Sequence, residues 1–531
     1  MSAKPGLRVP LPESGIIVRK SGRYPYVYKV INTYRTEKGQ PTNERKLIGK
    51  MDIETKMLMP NEAYWELYGM EESPHWLPTY DSVRAIGATF LVKNILSDLG
   101  VTEILEKVFG ENKASGILTA AIYMVCRGNI FERVQDWCEG YTLDELQITS
   151  VGATMLFSSI THDERMAFFK NWVSIQPRQE YLAYDVTSFS TYATGIHDAE
   201  WGYNRDKEKL PQINLGCYLS QNDGMPLFYV TYAGSITDKT HLPFMMAYND
   251  ELGISDACFI TDRGFCMTAN IKHMHSIKKK YLCGAELDHK ALAEAVRSVM
   301  PNILSMKNLI SQGVYAQAVQ GRFYGVTATL HTYMDPENAE RQRKDVLRVV
   351  KSEDEKLLKT EQLTRKEAKK YSSHFDIELA KDGSFKHKIN YEKIDNAVKM
   401  CGYFGLLTNR TLTSEQALSL YRQKDVIEKG FDELKNHIDM KRLRTHNSNT
   451  TDGKMFCAFI ALIAISRMSV LLTDFLKSKS MSKDGLISEL EKIKLVTLSN
   501  QLRLMNPITK TQRTIFEACN LSEINLKAYI H

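Results

Sequence analysis

The sequence predicts an α/β protein whose central domain carries an open sheet, and three observations lead to this prediction. From residue 181 onward, strand-like segments and helices follow one another in the order β-β-β-α-β-α-β. Before them, residues 16–52 alternate in the manner of strands, and residues 81–176 show helical periodicity. A chain of 531 residues has room for roughly three to five domains, so these changes of pattern are expected to mark separate parts.

The composition is typical of a globular protein from a reducing compartment. The chain is 43% hydrophobic and 25% charged, and its net charge of +6 permits a polyanionic partner without requiring one. Its nine cysteines include no CxxC pair, which argues against a zinc ribbon and favours reduced thiols in a cytoplasmic protein. The N-terminus has no apolar segment of the secretory type. The longest apolar run, residues 455–465, is too short to span a bilayer and predicts a buried helix, so we expect no membrane partner.

The first two parts are predicted as a small β-rich unit over 1–60 and a helical domain over 81–176. Glycines stand where the helices of the second part would end: Gly100, Gly110 and Gly128. A helical domain could read DNA, but helices alone do not indicate this, and a structural role fits equally well.

The central domain begins with an apolar strand, residues 181–189, that carries Asp185 in its middle. Two further strands flank the turn formed by residues 222–224, Asn-Asp-Gly. A later strand ends at Asp262, and another follows at 281–287.

Residues 288–400 interrupt this rhythm and are predicted as an insertion domain. They contain probable strands and a highly charged run that predicts a solvated helix, with a DNA-facing helix as the alternative. The strand pattern resumes at 402–409, so the central domain is predicted over 180–287 plus 401–450. The remainder, 451–531, is predicted to be helical, and its apolar run suggests a dimer interface.

The stretch Tyr421–Lys435 is predicted to form one helix. Its apolar residues share the face that would pack on a core: Val426, Ile427, Phe431 and Leu434. Four polar side chains form a narrow stripe beside that face: Tyr421, Lys424, Glu428 and Lys435. Such a stripe suits a phosphate and its metal, although a solvated face with i,i+4 ion pairs would look the same.

Three carboxylates stand in related places along the central domain. Asp185 and Asp262 lie on strands and Glu428 lies on the helix after the last strand, so the three could meet at one sheet edge. Oxygen-only ligands suit two Mg²⁺ ions, with Mn²⁺ able to substitute, about 3.5–4 Å apart. Each Asp alone would by default be a turn or cap residue. Asp425 and Asp432 rival Glu428, which spacing favours. The strand order also fits a ribonuclease-H-like arrangement.

In these motifs the chain resembles the DDE transposases of bacterial insertion sequences, in the insertion-sequence-four-like branch. That branch carries the signature Tyr-x2-Arg-x3-Glu-x6-Lys, which Tyr421, Glu428 and Lys435 match, with Lys424 in the Arg position. The short motifs around the two aspartates match residues 185–187, Asp-Val-Thr, and 262–265, Asp-Arg-Gly-Phe. The branch also interrupts its core with a β-containing insertion, as predicted for 288–400.

The resemblance implies the roles of the site residues. Asp185, Asp262 and Glu428 would be the catalytic metal ligands. The expected DNA contacts are Tyr421, Lys424, Lys435, Arg263, Arg422 and Arg444. Lys in the Arg position is a point charge without the bidentate fork, so Arg422 is a candidate to share its task. Arg444 belongs to a basic segment, 440–446, that suits a phosphate backbone or plain surface equally well.

A second departure from the branch concerns base stacking. Some relatives carry a Trp in the insertion that stacks a flipped base, whereas the last Trp of this chain is Trp201. Phe323, Tyr324 or Tyr333 could stack instead, or belong to the core. The sequence therefore leaves a hairpin step open.

The function expected from the resemblance is cut-and-paste DNA transposition in the bacterial nucleoid. The partners would be double-stranded DNA, as inverted repeats at the transposon ends and as target, and a second copy of the chain in a synaptic complex. Two alternatives stay open: a repeat-binding protein that does not cut, and a metal-dependent nuclease without strand transfer.

Overall fold

In the computed structural model of the protein, the chain divides into two units, residues 1–82 with 497–504 and residues 83–496 with 505–531. The structure describes residues 8–21, 24–36, 38–53, 55–68, 80–143, 147–254, 256–287, 289–310, 313–498 and 502–530. It is of mixed α/β type, as the sequence predicts, with a large mixed sheet and many helices.

The first unit contains an antiparallel meander and a short helix. Its elements are β1 (Ile16–Ser21), β2 (Tyr24–Arg35), β3 (Pro41–Met51), β4 (Leu58–Pro60) and α1 (Glu62–Tyr68). The strands pair in sequence order around a small core of Val27, Ile48 and Leu58. Strands thus form where residues 16–52 alternate.

The second unit contains the helices predicted between 81 and 176. After strand β5 (Tyr80–Ala85) come α2 (Gly87–Asp98), α3 (Val101–Phe109), α4 (Glu111–Arg127), α5 (Val134–Tyr141), α6 (Ser150–Ser159) and α7 (His162–Ile175). Gly100, Gly110 and Gly128 stand between helices with φ of +76°, +73° and +77°. Glycine is favoured in this region of φ, which explains why these helices end there.

The central part of the second unit follows the predicted order of strands and helices. The elements are β6 (Tyr181–Ser190), β7 (Gln212–Ser220), β8 (Pro226–Ala233), α8 (Asp238–Glu251), β9 (Cys258–Thr261), α9 (Thr268–Ser276), β10 (Lys280–Ala285), α10 (Lys290–Val299), β11 (Tyr315–Phe323), β12 (Val326–Met334), α11 (Pro336–Leu358), α12 (Arg365–Tyr371), β13 (Phe375–Leu379), β14 (Phe385–Ile389), α13 (Tyr391–Lys399) and β15 (Tyr403–Thr408).

The largest sheet among the described residues has the strand order β11-β12-β15-β10-β9-β6-β7-β8. Strands β6, β9 and β10 are parallel to one another, and the remaining pairs are antiparallel. Strands β6 and β7 are almost entirely buried, which fits their continuous apolar sequence and a sheet covered on both faces.

The predicted insertion, 288–400, contributes to this sheet. Its strands β11 and β12 extend the sheet because β12 pairs with β15. Residues 336–399 instead surround a small core of their own, formed by Val350, Leu357, Leu363, Phe375 and Ile394. The charged run forms α11, whose side chains are mostly exposed, as expected of a solvated helix. The boundaries of the insertion stay a prediction.

The stretch 421–435 is not one helix, contrary to the prediction. It is divided between α14 (Ser414–Arg422), α15 (Asp425–Asp432) and a wider π-helical turn over Glu433–His437. Lys424 donates its backbone N–H to the carbonyl of Tyr421, so the chain tightens to i,i+3 bonds at this point. The uniform 100° rotation that aligned the polar stripe therefore does not apply across residues 423–424.

The last segment was predicted to be helical, but the structure shows that it also contains two strands. It contains α16 (Ser448–Lys479), α17 (Lys483–Leu490), β16 (Lys494–Leu498), β17 (Arg503–Met505), α18 (Lys510–Ala518) and α19 (Glu523–Ile530). Helix α16 is long and apolar enough to cross a membrane by length and composition, but 78% of its most apolar window is buried within the protein. The apolar run at 455–465 is therefore core, which removes the reason for predicting a dimer interface there.

Candidate active site

Asp185 and Asp262 lie side by side on neighbouring parallel strands. Strands β6 and β9 pair Tyr184 with Thr261. Asp185 is the residue after Tyr184, and Asp262 is the residue after Thr261. Asp262 keeps extended backbone angles, φ −71° and ψ 165°, so it continues the direction of β9. Since neighbouring strands are about 4.8 Å apart, both carboxylates stand close together at the carboxyl end of β9, beside the middle of β6.

The Asp185 carboxyl is buried and incompletely compensated. Its residue is 7% exposed, and burial raises its pKa, with a further contribution from Asp262. The guanidinium of Arg205, 3.4 Å from Oδ1, and the backbone N–H of Val186, at 2.8 Å, oppose that rise. A nearby cation would therefore stabilise the charged form of the buried Asp185 carboxyl.

The Asp262 carboxylate lies at the surface and is held by Tyr421. The phenol of Tyr421 donates to Asp262 Oδ1 at 3.1 Å. Burial, together with the Asp262 charge, raises the pKa of that phenol well above its ordinary value, so it remains a donor at neutral pH. Gly284 makes room for the contact, because a Cβ at that position would stand 2.7 Å from Tyr421 Oη.

Glu428 is not gathered with the two aspartates. It is exposed on α15, and Lys424 Nζ lies 3.3 Å from its Oε1. Lys424 is itself buried, and its positive charge also lowers the pKa of Asp185, so the same ammonium acts on both acids. The rivals Asp425 and Asp432 are exposed on the same helix. Within the ranges that the structure describes, no three His, Cys, Asp or Glu side chains are grouped closely enough to hold a metal ion.

The residues predicted to contact DNA occupy several environments. Lys435 is buried and pairs with Asp206 at 2.7 Å, and Arg444 pairs with Asp439 at 3.0 Å. Arg263, directly after Asp262, and Arg422, at the end of α14, are exposed. Tyr421 and Lys424 bind the candidate metal ligands Asp262 and Glu428 instead.

The aromatic residues considered for base stacking belong to the core. Phe323, Tyr324 and Tyr333 are all buried, and the Tyr333 hydroxyl donates to the carbonyl of Ser414 at 2.7 Å. They are buried because β11 and β12 join the large sheet. Trp201, in contrast, is exposed.

The sequence analysis missed the connection between β6 and β7, residues 191–211. Two of its charged residues pair with predicted site residues, Arg205 with Asp185 and Asp206 with Lys435, and Glu208 pairs with Arg442 of the basic segment 440–446. The length of this connection was the available signal, since antiparallel neighbours are usually joined by two to five residues and longer loops are often functional.

The donor chemistry of this edge fits a hard divalent cation. Asp185 and Asp262 offer only carboxylate oxygens, which Mg²⁺ and Mn²⁺ prefer. Burial raises the pKa of Asp185, so a positive charge added beside this carboxylate would be favourable. Glu428 could join them only after leaving Lys424.

Comparison with known proteins identifies the family. A family model described as "Transposase DDE domain" matches residues 176–464. No curated protein matches the sequence. Among solved structures, the cryo-EM structure of the piggyBac transposase synaptic complex with hairpin DNA matches with 12% identity over 84% of this chain and 81% of that chain, at a TM-score of 0.36, which is too low to establish a shared fold. The family model spans more than half of the 531 residues, and the chain therefore belongs to the transposases with a DDE domain.

Proposed function

We propose that the protein is a cut-and-paste transposase of the insertion-sequence-four-like branch, which binds the terminal inverted repeats of its own element and cleaves and joins DNA strands with Mg²⁺. The observation that carries this proposal is that Asp185 and Asp262 directly follow Tyr184 and Thr261, which are paired on neighbouring parallel strands. The family match accounts for a transposase. The branch, the metal and the strand-transfer step belong to the proposal.

The sheet topology supports a ribonuclease-H-like catalytic core. Strands β8, β7 and β6 form an antiparallel set, and β9 and β10 continue it in parallel beside β6. This layout brings the first strand and the fourth together, so the acid on each comes to the same edge. The proposed fold thus accounts for why residues 77 positions apart in sequence form one site.

Asp185, Asp262 and Glu428 are proposed to hold two Mg²⁺ ions, with Mn²⁺ able to substitute. Bound ions of this kind supply charge neutralisation and activation of a water or hydroxyl in phosphodiester chemistry. Within the chain, Tyr421 orients Asp262 through its hydrogen bond. Lys424 holds Glu428 until that carboxylate is required. Asp262 is exposed at this site, so DNA can approach that carboxylate without opening the core.

The DNA partners are proposed to be the element ends and a target duplex. The cations expected at their phosphates are Lys424, Lys435, Arg263, Arg422 and Arg444, with the Tyr421 hydroxyl beside them. Phosphate contacts of this kind position a duplex without reading its sequence, so they suit the reacting strand more than the repeat. Two ends must be held together for joining, and we propose a homodimer for that step.

An excision assay tests this function and its third ligand. A plasmid carrying the element between its own ends reports excision and reintegration by wild type, Glu428→Gln, Asp425→Asn and Asp432→Asn. We expect excision to be lost only in Glu428→Gln, because Glu428 is the proposed metal ligand. Asp425→Asn and Asp432→Asn remove the same charge from the same helix and serve as matched controls. Loss with Asp425→Asn or Asp432→Asn alone would move the third ligand there.

The same assay separates the proposal from its alternatives. If the wild type binds the repeats but excises nothing, the protein is a binding protein and the proposal fails. If it cuts the ends and yields no joined product, it is a nuclease.

A further inference from the structure

The connection between β6 and β7 contains a compact turn fastened beside the candidate active site. We call residues 204–208 the strap. The Asn204 side chain accepts the backbone N–H groups of Asp206 and Glu208 at 2.9 and 3.3 Å, and donates to Ser190 Oγ at 2.9 Å. Lys207 completes the turn with φ of +59°. The strap is thereby anchored to the end of β6, five residues beyond Asp185.

The positive charge of the strap lies on a candidate metal ligand. Arg205 lies 3.4 Å from Asp185 Oδ1 and 3.1 Å from Asp238 Oδ2. Its guanidinium therefore neutralises the buried carboxylate that would otherwise attract a divalent cation. A metal ion bound by Asp185 and the guanidinium compete for the same negative charge.

The negative charges of the strap lie on two cations, Lys435 and Arg442. Asp206 Oδ2 is 2.7 Å from Lys435 Nζ, and Lys435 is only 8% exposed. Glu208 pairs with Arg442, which is joined to the end of β6 because the backbone N–H of Ser190 donates to the carbonyl of Lys441. Asp206 and Glu208 thus place carboxylate oxygens beside these cations, where the oxygens of a DNA phosphate would otherwise bind.

The signs of these contacts match those of the expected ligands. Arg205 contacts an acid, and Asp206 and Glu208 contact cations, all within a turn of five residues whose second cation, Lys207, is exposed. A loop that is merely anchored would not need its charges to match those of the metal and the phosphates. A matched pair at the opposite ends of β6 and β9, Arg178 with Asp256, shows the usual exposed ion pair, with side chains 81% and 60% exposed.

We propose that the strap is an internal mimic of metal and DNA, in which Arg205 holds the place of a cation at Asp185 while Asp206 and Glu208 hold the places of phosphates at Lys435 and Arg442. The proposal rests on the proposed function and adds three positioning residues to that site. In the free protein the strap keeps the opposed charges satisfied. Binding of metal and DNA displaces it.

Metal binding without DNA tests the first half of the proposal. Isothermal titration of the full-length protein with Mn²⁺, at mildly alkaline pH, compares wild type, Arg205→Gln and the control Arg178→Gln. We expect several-fold tighter Mn²⁺ binding by Arg205→Gln only, because the competitor for Asp185 is removed. Equal or weaker binding by Arg205→Gln would overturn the proposal.

DNA binding without metal tests the second half. Fluorescence anisotropy with a short duplex of arbitrary sequence compares Asp206→Asn and Glu208→Gln with the control Asp256→Asn, which removes the same charge elsewhere. We expect several-fold tighter binding by the strap variants and a steeper dependence of affinity on salt, because each freed cation adds a phosphate contact. A gain no larger than that of the control, with an unchanged salt dependence, would overturn the proposal.

A charge-preserving variant separates the charge from the shape of the loop. Asp206→Glu should bind the duplex as wild type does, whereas binding like Asp206→Asn would show that the turn itself matters and would overturn the mimic. If wild type binds both Mn²⁺ and duplex while strap variants match their controls, the mimic fails and the proposed function stands. If neither wild type nor the strap variants bind Mn²⁺ or duplex, both fail.

Discussion

The phenol of Tyr421 donates a hydrogen bond to Asp262 Oδ1 across 3.1 Å, which joins the end of α14 to the end of β9. The two residues are 159 positions apart in sequence, and the contact lies beside Asp185 on the neighbouring strand. Tyr421 therefore orients a candidate metal ligand, which is a task separate from the phosphate contact proposed for it.

Replacing Tyr421 by Phe removes this donor while keeping the ring. We expect the fold to persist, the free energy of unfolding to fall by about 1 kcal/mol, and the rate of Mg²⁺-dependent strand cleavage to fall. Urea unfolding and single-turnover cleavage measure the two effects. Tyr391→Phe, at an exposed position on α13, is the control. Cleavage at the wild-type rate in Tyr421→Phe would show that the bond does not position Asp262.

Gly284→Ala should damage the same contact from the other side. The added Cβ would lie 2.7 Å from Tyr421 Oη and 3.1 Å from the backbone N of Arg263, and the latter cannot rotate away. We expect a loss of about 1–3 kcal/mol in the free energy of unfolding, as for other overpacked sites. Thermal or urea unfolding provides the measurement.

Two further variants sharpen this test. Gly140→Ala, where a Cβ meets nothing within 4 Å, should be tolerated. Adding Tyr421→Phe to Gly284→Ala should restore part of the lost stability because the phenolic oxygen is gone. No recovery in the double variant would indicate that the clash with Arg263 dominates.

Lys454 should give the protein a pH-dependent stability. It is 4% exposed on α16, where Nζ donates to Asn129 Oδ1 and to the carbonyl of Leu443 at 2.9 and 3.1 Å. Burial, reinforced by Arg444 and opposed by Asp439, lowers the pKa of Lys454 to about 7. An unfolded chain, with its lysine pKa near 10.4, binds more protons above pH ~7, so stability rises with pH in this window by up to about 1.4 kcal/mol per unit.

Urea unfolding between about pH 7 and pH 9.5 measures this slope. Lys454→Met should abolish it, whereas Lys477→Met, exposed near the end of the same helix, should retain it. An identical slope in wild type and Lys454→Met would contradict the assignment to Lys454.

The sequence predicts the order of strands and helices along the chain around the site because short-range patterns determine it. Alternation and turn residues locate β6, β7, β8 and β9, and they place Asp185 and Asp262 on strands that the structure makes neighbours. The family signature marks Tyr421 and Glu428 on spacing alone. It does not predict the break at residues 423–424, which depends on the local hydrogen bonds of the folded chain.

Contacts between residues far apart in sequence cannot be predicted from the periodic pattern of apolar and polar residues. The pair of Lys435 with Asp206 joins positions 229 apart, and no local pattern indicates that these charges meet. The burial of Phe323 and Tyr324 likewise follows from the pairing of β12 with β15, which the prediction of a separate insertion excluded. The strap was missed for the same reason, because its charges look solvated until their partners are known.

Strand transfer by the purified protein tests the central claim most directly. A linear duplex carrying the element end is incubated with a supercoiled target plasmid, with and without Mg²⁺, and joined products are quantified for wild type, Asp185→Asn and the control Asp256→Asn. The account predicts Mg²⁺-dependent joined products for wild type and for Asp256→Asn, and none for Asp185→Asn. Joined products formed by Asp185→Asn at the wild-type level, or formed by wild type without a divalent metal, would contradict it.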